Sequence, residues 1–281
     1  MTTESQKNNP LTGYFRQPAI HIKLPSNGRY YPDGAIDLPV TGEIPVFPMT
    51  VKDELSLKTP DSLMNGSGIV EVINSCCPNI QDPWNTPSVD LETLFIAIKI
   101  ASYGTGMDIK SRCPHCGHEQ ENTINLTALL DQIPQDRYSE SLEVKKLVFN
   151  FRPPTFQEIN EASKISYHQT KLIEQLMDAN ISEEEKRQLF LENFNKLTDM
   201  NVDTIVRGIA SIQTPDGNRV TESVYIKEFL QNADRKTYTK VKDHINELVD
   251  HHKIKPMNFA CEECEKEYSS DIIFDQANFF A

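Results

Sequence analysis

Two short cysteine motifs constrain the fold of this chain more than any other feature of its sequence. Cys113-Pro-His-Cys116 and Cys261-Glu-Glu-Cys264 share the CxxC spacing, and residues 117–260 lie between them. Two CxxC loops supply the four sulfur ligands that a tetrahedral zinc ion prefers. The flanks of both motifs have the character of extended strands. We therefore predict one zinc-ribbon-like module, assembled from hairpins at residues 107–126 and 257–274.

Disulfide and redox chemistry are the alternatives to zinc, together with free thiols. Residues 1–10 are polar and lack the apolar segment of a secretory signal, so we expect a reducing cytoplasm, where structural disulfides are disfavoured. Neither pair lies at the start of a helix in a βαβ pattern, as a thioredoxin-like motif would. His115 and His118 are further possible ligands, but four thiolates already complete the shell, so a turn or surface position is predicted for both.

A zinc ion with four cysteine ligands is expected to be structural. Catalytic zinc usually keeps an open position for water or substrate, whereas a four-cysteine shell is closed. The binding free energy of structural zinc contributes to folding. The predicted ligands of one Zn²⁺ per chain are Cys113, Cys116, Cys261 and Cys264. The remaining cysteines, Cys76 and Cys77, are predicted to be buried core thiols.

Composition indicates a soluble globular chain without a membrane span. The 281 residues are 38% hydrophobic and 25% charged, and the longest apolar run, Leu94-Phe-Ile-Ala-Ile, is far too short to cross a bilayer. The formal net charge of −13 opposes nucleic-acid binding, because phosphate recognition depends on clustered Lys and Arg. This balance favours basic or neutral protein partners.

Local patterns predict an α+β chain with a small N-terminal β region, a mainly helical body and the split ribbon. Residues 1–15 are polar and are predicted to form a mobile arm. Residues 16–126 together with 253–281 are predicted to form an α+β domain, which includes a tight hairpin turn at Asn27-Gly28. Residues 127–252 are predicted to form an inserted, mainly helical subdomain.

Periodicity and capping signals predict the helices. Leu91 to Tyr103 is apolar on almost every face and is predicted to lie at the centre of a core. Capping boxes at Thr155-x-x-Glu158 and Ser182-x-x-Glu185 predict two helix starts. Apolar spacing from Val202 to Ala210 predicts a third helix. The remaining predicted elements are a strand at Leu142–Phe151 and helices near Ser223–Leu230 and Asp234–His252.

The sequence contains no recognisable catalytic motif. P-loop, dinucleotide-binding, GxSxG and HExxH patterns are all missing from it. With 41 Asp and Glu residues, pairs of carboxylates arise by chance and identify no active site. His244, His251 and His252 share no carboxylate or thiol motif, and a solvated helix end explains them better than metal binding. We therefore predict that the protein is not an enzyme.

Several longer motifs are similar to one known family. They are Leu24-Pro-Ser-Asn-Gly-Arg-Tyr-Tyr-Pro32, Gly42-Glu-Ile-Pro-Val-Phe-Pro-Met-Thr50, Leu57-Lys-Thr-Pro-Asp-Ser-Leu-Met-Asn-Gly66, Val70-Glu-Val-Ile-Asn-Ser-Cys76, Asp82-Pro-Trp84, Ile98-Lys-Ile-Ala-Ser-Tyr-Gly104 and Cys113-Pro-His-Cys116. This set resembles the baseplate hub proteins of T-even-type contractile-tailed phages over residues 20–130. The similarity is weaker over the helical body, where it rests on Phe151-Arg-Pro-Pro-Thr155.

The resemblance implies a non-enzymatic role in building the central hub of a phage tail baseplate, as a subunit of the mature hub or as an assembly factor. The implied partners are other baseplate hub or tail proteins in a hetero-oligomeric assembly. Composition and charge argue against a membrane or nucleic-acid partner. The implied location is the host cytoplasm during assembly, and the virion tail if the protein is retained. The cysteine motifs alone also fit a zinc-ribbon adaptor that binds nucleic acid or transcription machinery. The aromatic end Phe274–Phe280 is predicted either to dock onto a neighbouring chain or to pack on its own ribbon.

Overall fold

The computed structural model describes residues 10–59, 62, 65–134, 136–178, 184, 187–188 and 201–271. This part of the chain combines helices with small antiparallel sheets, so the predicted α+β class is confirmed. Residues 1–9 of the predicted arm, the capping residues Ser182 and Glu185, and the aromatic end Phe274–Phe280 lie outside the described residues.

Each strand in the described part of the chain pairs with a neighbour in sequence. The strands are β1 (Ile20–Lys23), β2 (Glu43–Val46), β3 (Gly106–Arg112), β4 (Glu119–Asn125), β5 (Leu142–Val144), β6 (Leu147–Phe151), β7 (Ile209–Gln213), β8 (Arg219–Val220), β9 (Met257–Ala260) and β10 (Glu267–Ser270). β1 pairs with β2, β3 with β4 and β9 with β10, whereas β5, β6, β7 and β8 form a four-stranded sheet in that order.

Helices accompany these sheets in the described part of the chain. They are α1 (Val51–Leu57), α2 (Ser67–Cys76), α3 (Ser88–Tyr103), α4 (Leu126–Leu130), α5 (Phe156–Asp178), α6 (Ser223–Asn232) and α7 (Arg235–His252), and residues 201–207 are also helical. α6 and α7 lie where the sequence predicted helices. The predicted capping box at the start of α5 is present, because Glu158 N–H donates to Thr155 Oγ1 at 3.3 Å and Thr155 N–H donates to Glu158 Oε2 at 2.9 Å.

α3 lies at the centre of the first hydrophobic core, as its apolar sequence predicted. Leu94, Ile96 and Ile98 are fully buried, and β1, β2, α1, α2 and α4 contribute apolar side chains around the helix. The helix ends at Gly104, whose φ of 92° favours a residue without Cβ. Partly buried side chains of β9 pack against the same core. The chain therefore returns to its first core after residue 253.

The second hydrophobic core lies between the four-stranded sheet and the helices that follow it. Phe149 and Ile212 of the sheet pack with Ile226 of α6 and Val241 of α7. The segment 127–252 thus contains a four-stranded sheet in addition to the predicted helices.

Two elements of this core differ from the prediction. Leu142–Phe151 is a hairpin rather than one strand, because Lys145 and Lys146 turn the chain with φ values of 52° and 65°. The helix predicted over Val202 to Ala210 ends at residue 207, and Ile209 begins β7. Gly208 accepts a hydrogen bond from Arg152 N–H at 3.0 Å, so pairing with the end of β6 replaces the next helical turn.

Two buried carboxylates hold the turn after β1. Asn27 and Gly28 form a tight turn with positive φ values of 52° and 75°, but the predicted hairpin is wrong, because β1 pairs with β2 rather than with the residues just after this turn. Asp90 of α3 accepts hydrogen bonds from Ser26 N–H at 2.9 Å and from Ser26 Oγ at 2.6 Å. Asp136 accepts from Tyr30 OH at 2.8 Å. Tyr30 packs on the second core, so this turn joins the two cores.

Candidate metal centre

Each cysteine pair occupies the turn of an antiparallel hairpin. In the first hairpin, Arg112 of β3 pairs with Glu119 of β4, and the turn contains the first CxxC motif. In the second, Ala260 of β9 pairs with Glu267 of β10 around the second motif. Each CxxC motif therefore lies in a turn with an extended strand on both sides, as the sequence predicted.

The backbone of the first turn, the first knuckle, directs both sulfur atoms to one side. Cys113 N–H donates to His118 O at 2.9 Å, and Gly117 N–H donates back to Cys113 O at 2.9 Å. Gly117 has a φ of 77°, which a residue with Cβ adopts only at a cost. His115 N–H points at Cys113 Sγ at 3.4 Å. This donor favours the thiolate form of Cys113.

The second turn, the second knuckle, repeats that backbone pattern. Cys261 N–H donates to Lys266 O at 3.0 Å, and Glu265 N–H donates to Cys261 O at 2.9 Å. Glu265 occupies the position of the glycine in the first knuckle and has a φ of 58°. The two knuckles thus share one backbone conformation, with glycine in the left-handed region in the first knuckle and glutamate there in the second.

The four sulfur atoms meet between the two knuckles. Cys113 Sγ lies 3.7 Å from Cys264 Sγ, and Cys116 Sγ lies 3.6 Å from Cys261 Sγ. All four atoms lie within 4.8 Å of one another. Zinc–sulfur bonds of about 2.3 Å in a tetrahedron give sulfur–sulfur distances of about 3.8 Å. All four thiols are free, so the two distant pairs form a group that fits a tetrahedral metal ion.

The two thiols of the first knuckle differ in pKa. Burial raises the pKa of Cys113, but hydrogen bonds from the backbone N–H groups of Cys116 and His115 outweigh burial and bring that pKa to about 7. A hydrogen bond from His118 N–H lowers the pKa of Cys116, but burial and the neighbouring thiols raise it to about 12. One thiol therefore ionises readily, whereas a metal ion would have to displace the proton of the other.

A buried polar network fastens the two hairpins together beside the sulfur atoms. Ser111 Oγ of β3 lies 2.6 Å from Tyr268 OH of β10, and both side chains are buried. Asn122 Nδ2 donates to Ser111 Oγ at 2.7 Å. Gln120 completes the network from β4, and we call these four residues the polar latch.

Gln120 bridges the second hairpin with both ends of its amide. Gln120 Nε2 donates to Ala260 O at 2.9 Å, and Glu262 N–H donates to Gln120 Oε1 at 2.9 Å. The side chain is 6% exposed. Sequence reasoning missed the polar latch, because Gln120 and Asn122 alternate along β4 like solvent-facing residues. Ile124, buried on the same alternate row, was the available signal that this face is covered.

Comparison with protein families identifies the chain. The sequence model of the family described as T4 bacteriophage base plate protein matches residues 18–281. The chain belongs to this family. No curated protein and no solved structure shows significant similarity to it. The resemblance found in the sequence is thereby confirmed at the level of the base plate, and both knuckles of this base plate protein lie inside the matched region.

The histidines near the cysteines take the turn and surface positions that were predicted. His115 is exposed, and one nitrogen of its ring lies 3.3 Å from Glu267 O across the two hairpins. His118 is half-buried and contributes its backbone oxygen to the first knuckle. The core thiols were also predicted correctly, since Cys76 and Cys77 are fully buried. Burial raises the pKa of Cys76 to about 12.

The prediction of a solvated helix end was wrong for two histidines of α7. His252 is 8% exposed, and its ring stacks on Tyr138 with the centroids 5.8 Å apart. His244 lies against Phe151 at 4.8 Å. The end of α7 packs on the second core and on the loop before β5. Both histidines lie three or four residues from the buried Val241 and Leu248, so the helix periodicity was the signal for this burial. In the described part of the base plate protein, no helix is long and apolar enough to cross a membrane.

Proposed function

We propose that the protein is a non-enzymatic structural or assembly component of the baseplate hub in a contractile phage tail, and that one structural zinc ion stabilises it. The family match over residues 18–281 carries the proposal as far as the base plate. The motifs within residues 20–130 that resemble hub proteins support the narrower assignment to the hub. The partners are accordingly other hub or tail proteins, encountered first in the host cytoplasm and retained in the tail if the protein is a mature subunit.

The zinc ion would be held by Cys113, Cys116, Cys261 and Cys264. The sulfur distances of 3.6 and 3.7 Å across the knuckles support a tetrahedral shell. Such a shell leaves no position for a substrate, which favours a structural ion over a catalytic one. The ion would link two hairpins that are far apart in the sequence.

This arrangement supports a domain proposal with residues 16–126 and 253–281 in one domain and residues 127–252 as an insertion. Apolar side chains of β9 pack on the first core, whereas those of β6, β7, α6 and α7 form the second. The boundary is bridged at the start of α5, because Phe156 is buried in the first core and Pro87 pairs with Thr155. The insertion would thus be anchored to the zinc-containing domain.

The experiment that tests the hub assignment is mass spectrometry of purified virions and of tail intermediates, followed by a reconstruction of the tail tip. A hub subunit is expected in virions at the axis of the baseplate. Presence only in intermediates would identify an assembly factor. Absence from virions and from every intermediate would refute the proposal.

The adaptor function is tested separately with the isolated chain. A zinc-ribbon adaptor for nucleic acid would bind DNA or RNA at low salt and release it as salt increases. The net charge of −13 leads us to expect no such binding. Salt-dependent binding together with absence from tails would favour the adaptor.

A further inference from the structure

Two short segments meet where the proposed insertion begins and ends, and we call their contact the neck. The first segment is 136–138, in the loop before β5, and the second is 251–253, at the end of α7. The Tyr138 and His252 rings stack with their centroids 5.8 Å apart and their planes 16° apart, and both residues are buried. This ring contact therefore holds the two ends of the insertion side by side.

His252 is buried in the neck without polar partners. The residue is 8% exposed, and among the described residues neither ring nitrogen has a hydrogen-bond partner. A neutral imidazole already leaves one donor and one acceptor unpaired here, which makes the closed neck a contact of low stability. A protonated imidazole would add a buried charge and a second unpaired N–H group. Burial, followed by the charge of His251, lowers the pKa of His252, so the ring is neutral in the closed neck.

The charged groups around the ring do not supply a partner for a protonated His252. His251 lies edge-on with its centroid 5.2 Å away, and it opposes a second positive charge, as does Arg137. Asp136 favours the charged ring, but its carboxylate already accepts hydrogen bonds from Arg29 Nη2 at 2.6 Å and from Tyr30 OH at 2.8 Å. The remaining titratable groups of the segments that pack here are Glu92, Tyr138, Glu140, Asp250 and Lys253.

Two of these acidic groups have basic partners of their own. Glu140 accepts from Arg137 Nε at 2.6 Å, and Asp250 accepts from Lys253 Nζ at 2.7 Å. Glu92 is half-buried, and burial raises its pKa although the charge of Lys253 lowers it. Burial therefore remains the largest influence on the His252 ring.

We propose that the neck is an acid-sensitive joint, in which protonation of His252 separates its ring from Tyr138 and releases the two ends of the insertion from each other. The buried ring takes up a proton only after the neck has opened locally, because the charged form is not solvated in the closed neck. The proton then holds the neck open, since the ring would have to lose it before it could stack again.

Linkage gives the sign and the size of the effect. An imidazole in water has a pKa of about 6.5, whereas the closed neck keeps the pKa of His252 below its usual value. The stability of the closed neck is therefore complete well above pH 6.5 and decreases as the pH falls below it. If the open neck alone binds the proton, its population rises by up to about tenfold between about pH 8 and about pH 5.5.

The backbone N–H of Tyr138 is the reporter for the test, because it donates to Asp136 Oδ1 at 3.1 Å inside the neck. Native-state hydrogen exchange of the full-length protein, expressed as a protection factor, removes the intrinsic effect of pH and measures opening. The protection factor of Tyr138 should fall by up to about tenfold from pH 8 to pH 5.5, whereas those of β7 in the second core should not fall. A constant value at Tyr138, or an equal fall in β7, would overturn the proposal without the use of any variant.

Two variants assign the effect to one ring. His252→Phe keeps an aromatic ring for the stack and removes the titratable nitrogens, so its protection factor at Tyr138 should not depend on pH over this range. His251→Phe is the matched control one position earlier in α7, and it should keep the dependence. Asp90 and Glu92, whose pKa values burial raises, are present in both variants, so the difference between the variants belongs to the histidines. A dependence that survives in His252→Phe or disappears in His251→Phe would refute the assignment.

The inference uses the proposed division of the chain into a domain and an insertion, and it is independent of the place of the protein in the baseplate. If the neck opens in acid but the protein is absent from tails and their intermediates, the proposed function fails and the joint stands. If the protein is part of the tail but its neck is insensitive to pH, the joint fails and the hub assignment stands.

Discussion

Removal of one cysteine ligand is the most direct test of the metal centre. Cys113 and Cys264 are 151 positions apart. In the chain-entropy model, a cross-link that closes a loop of this length is worth about 5 kcal/mol. A metal ion held between the knuckles constrains the unfolded chain in the same way while it stays bound. Cys264→Ser should therefore lower the free energy of unfolding by up to about 5 kcal/mol, or the melting temperature by roughly 10–20 °C.

The assay combines metal analysis with calorimetry. The unmodified protein should contain one zinc ion per chain and should melt at a lower temperature after treatment with a strong chelator. Cys264→Ser should lose its zinc under mild chelation and should melt at nearly the same temperature with and without chelator. The two measurements must change together, because the proposed loss of stability arises from the loss of the ion.

His118→Ala is the matched control for this experiment. His118 contributes to the first knuckle through its backbone oxygen, which accepts from Cys113 N–H and survives the substitution. We expect the control to keep its zinc and its melting temperature. The shared-site reasoning would be refuted if Cys264→Ser kept both as well.

Three further predictions concern the knuckle backbone, the polar latch and the carboxylate buried in α3. Gly117→Ala should lower the free energy of unfolding by about 1–2 kcal/mol because φ is 77°, whereas Glu265→Gly should raise it by up to about 1 kcal/mol. Thermal melting with zinc bound measures both changes, and a loss of stability in both variants would contradict the prediction. Gln120→Ala leaves two backbone groups of the second hairpin without partners and should cost roughly 2 kcal/mol or more, with faster hydrogen exchange in β9 and β10; unchanged exchange would argue against the latch. Burial raises the pKa of Asp90 from 3.8 to about 6. The contribution of Asp90 to folding stability is therefore complete below pH 3.8 and is lost as the pH rises through 6. Once the carboxylate is ionised, the hydrogen bonds that it accepts become more important. In urea denaturation, Ser26→Ala should thus cost more above pH 6 than below it, and a cost that is the same on both sides would refute this account.

The cluster of four cysteines was predictable because its chemistry is local. Two CxxC motifs fix four sulfur ligands, and the strand-like flanks fix a hairpin around each pair. Tetrahedral coordination by thiolates then requires the two hairpins to meet, although residues 117–260 separate the pairs. The position of α3 was predictable for a similar reason, since a helix that is apolar on almost every face has to be buried.

The second core was harder to predict because tertiary contacts decide it. Ile209 continues the helical spacing of Ile205 and Val206, yet it pairs across β6 and β7 with Phe151. The turn at Lys145-Lys146 carries none of the Gly or Asn signals of a tight hairpin, although both residues have positive φ. In these places the energy of sheet pairing and burial outweighs the local preference of the sequence.

The burial of two polar residues was missed because their polarity was weighed above their position. Gln120 lies on the same face of β4 as the buried Ile124, and His252 lies four residues after the buried Leu248 of α7. Each is covered by a segment distant in sequence. Gln120 meets the second hairpin, and His252 meets Tyr138. The packing of those segments determines which hydrogen bonds and ring contacts the two buried side chains make, and the sequence pattern does not contain these contacts.

The proposed insertion leaves and rejoins the first domain at neighbouring points, and this limits what the proposed zinc ion can stabilise. Tyr138 lies just after the chain enters the insertion and His252 just before it leaves, and their rings stack with centroids 5.8 Å apart. Asp136 also accepts a hydrogen bond from Tyr30 OH close to these rings. These contacts hold the two ends of the insertion together, and none of them involves the metal. The stability lost in Cys264→Ser should therefore come mainly from the hairpins and the first core, while the second core keeps its own packing.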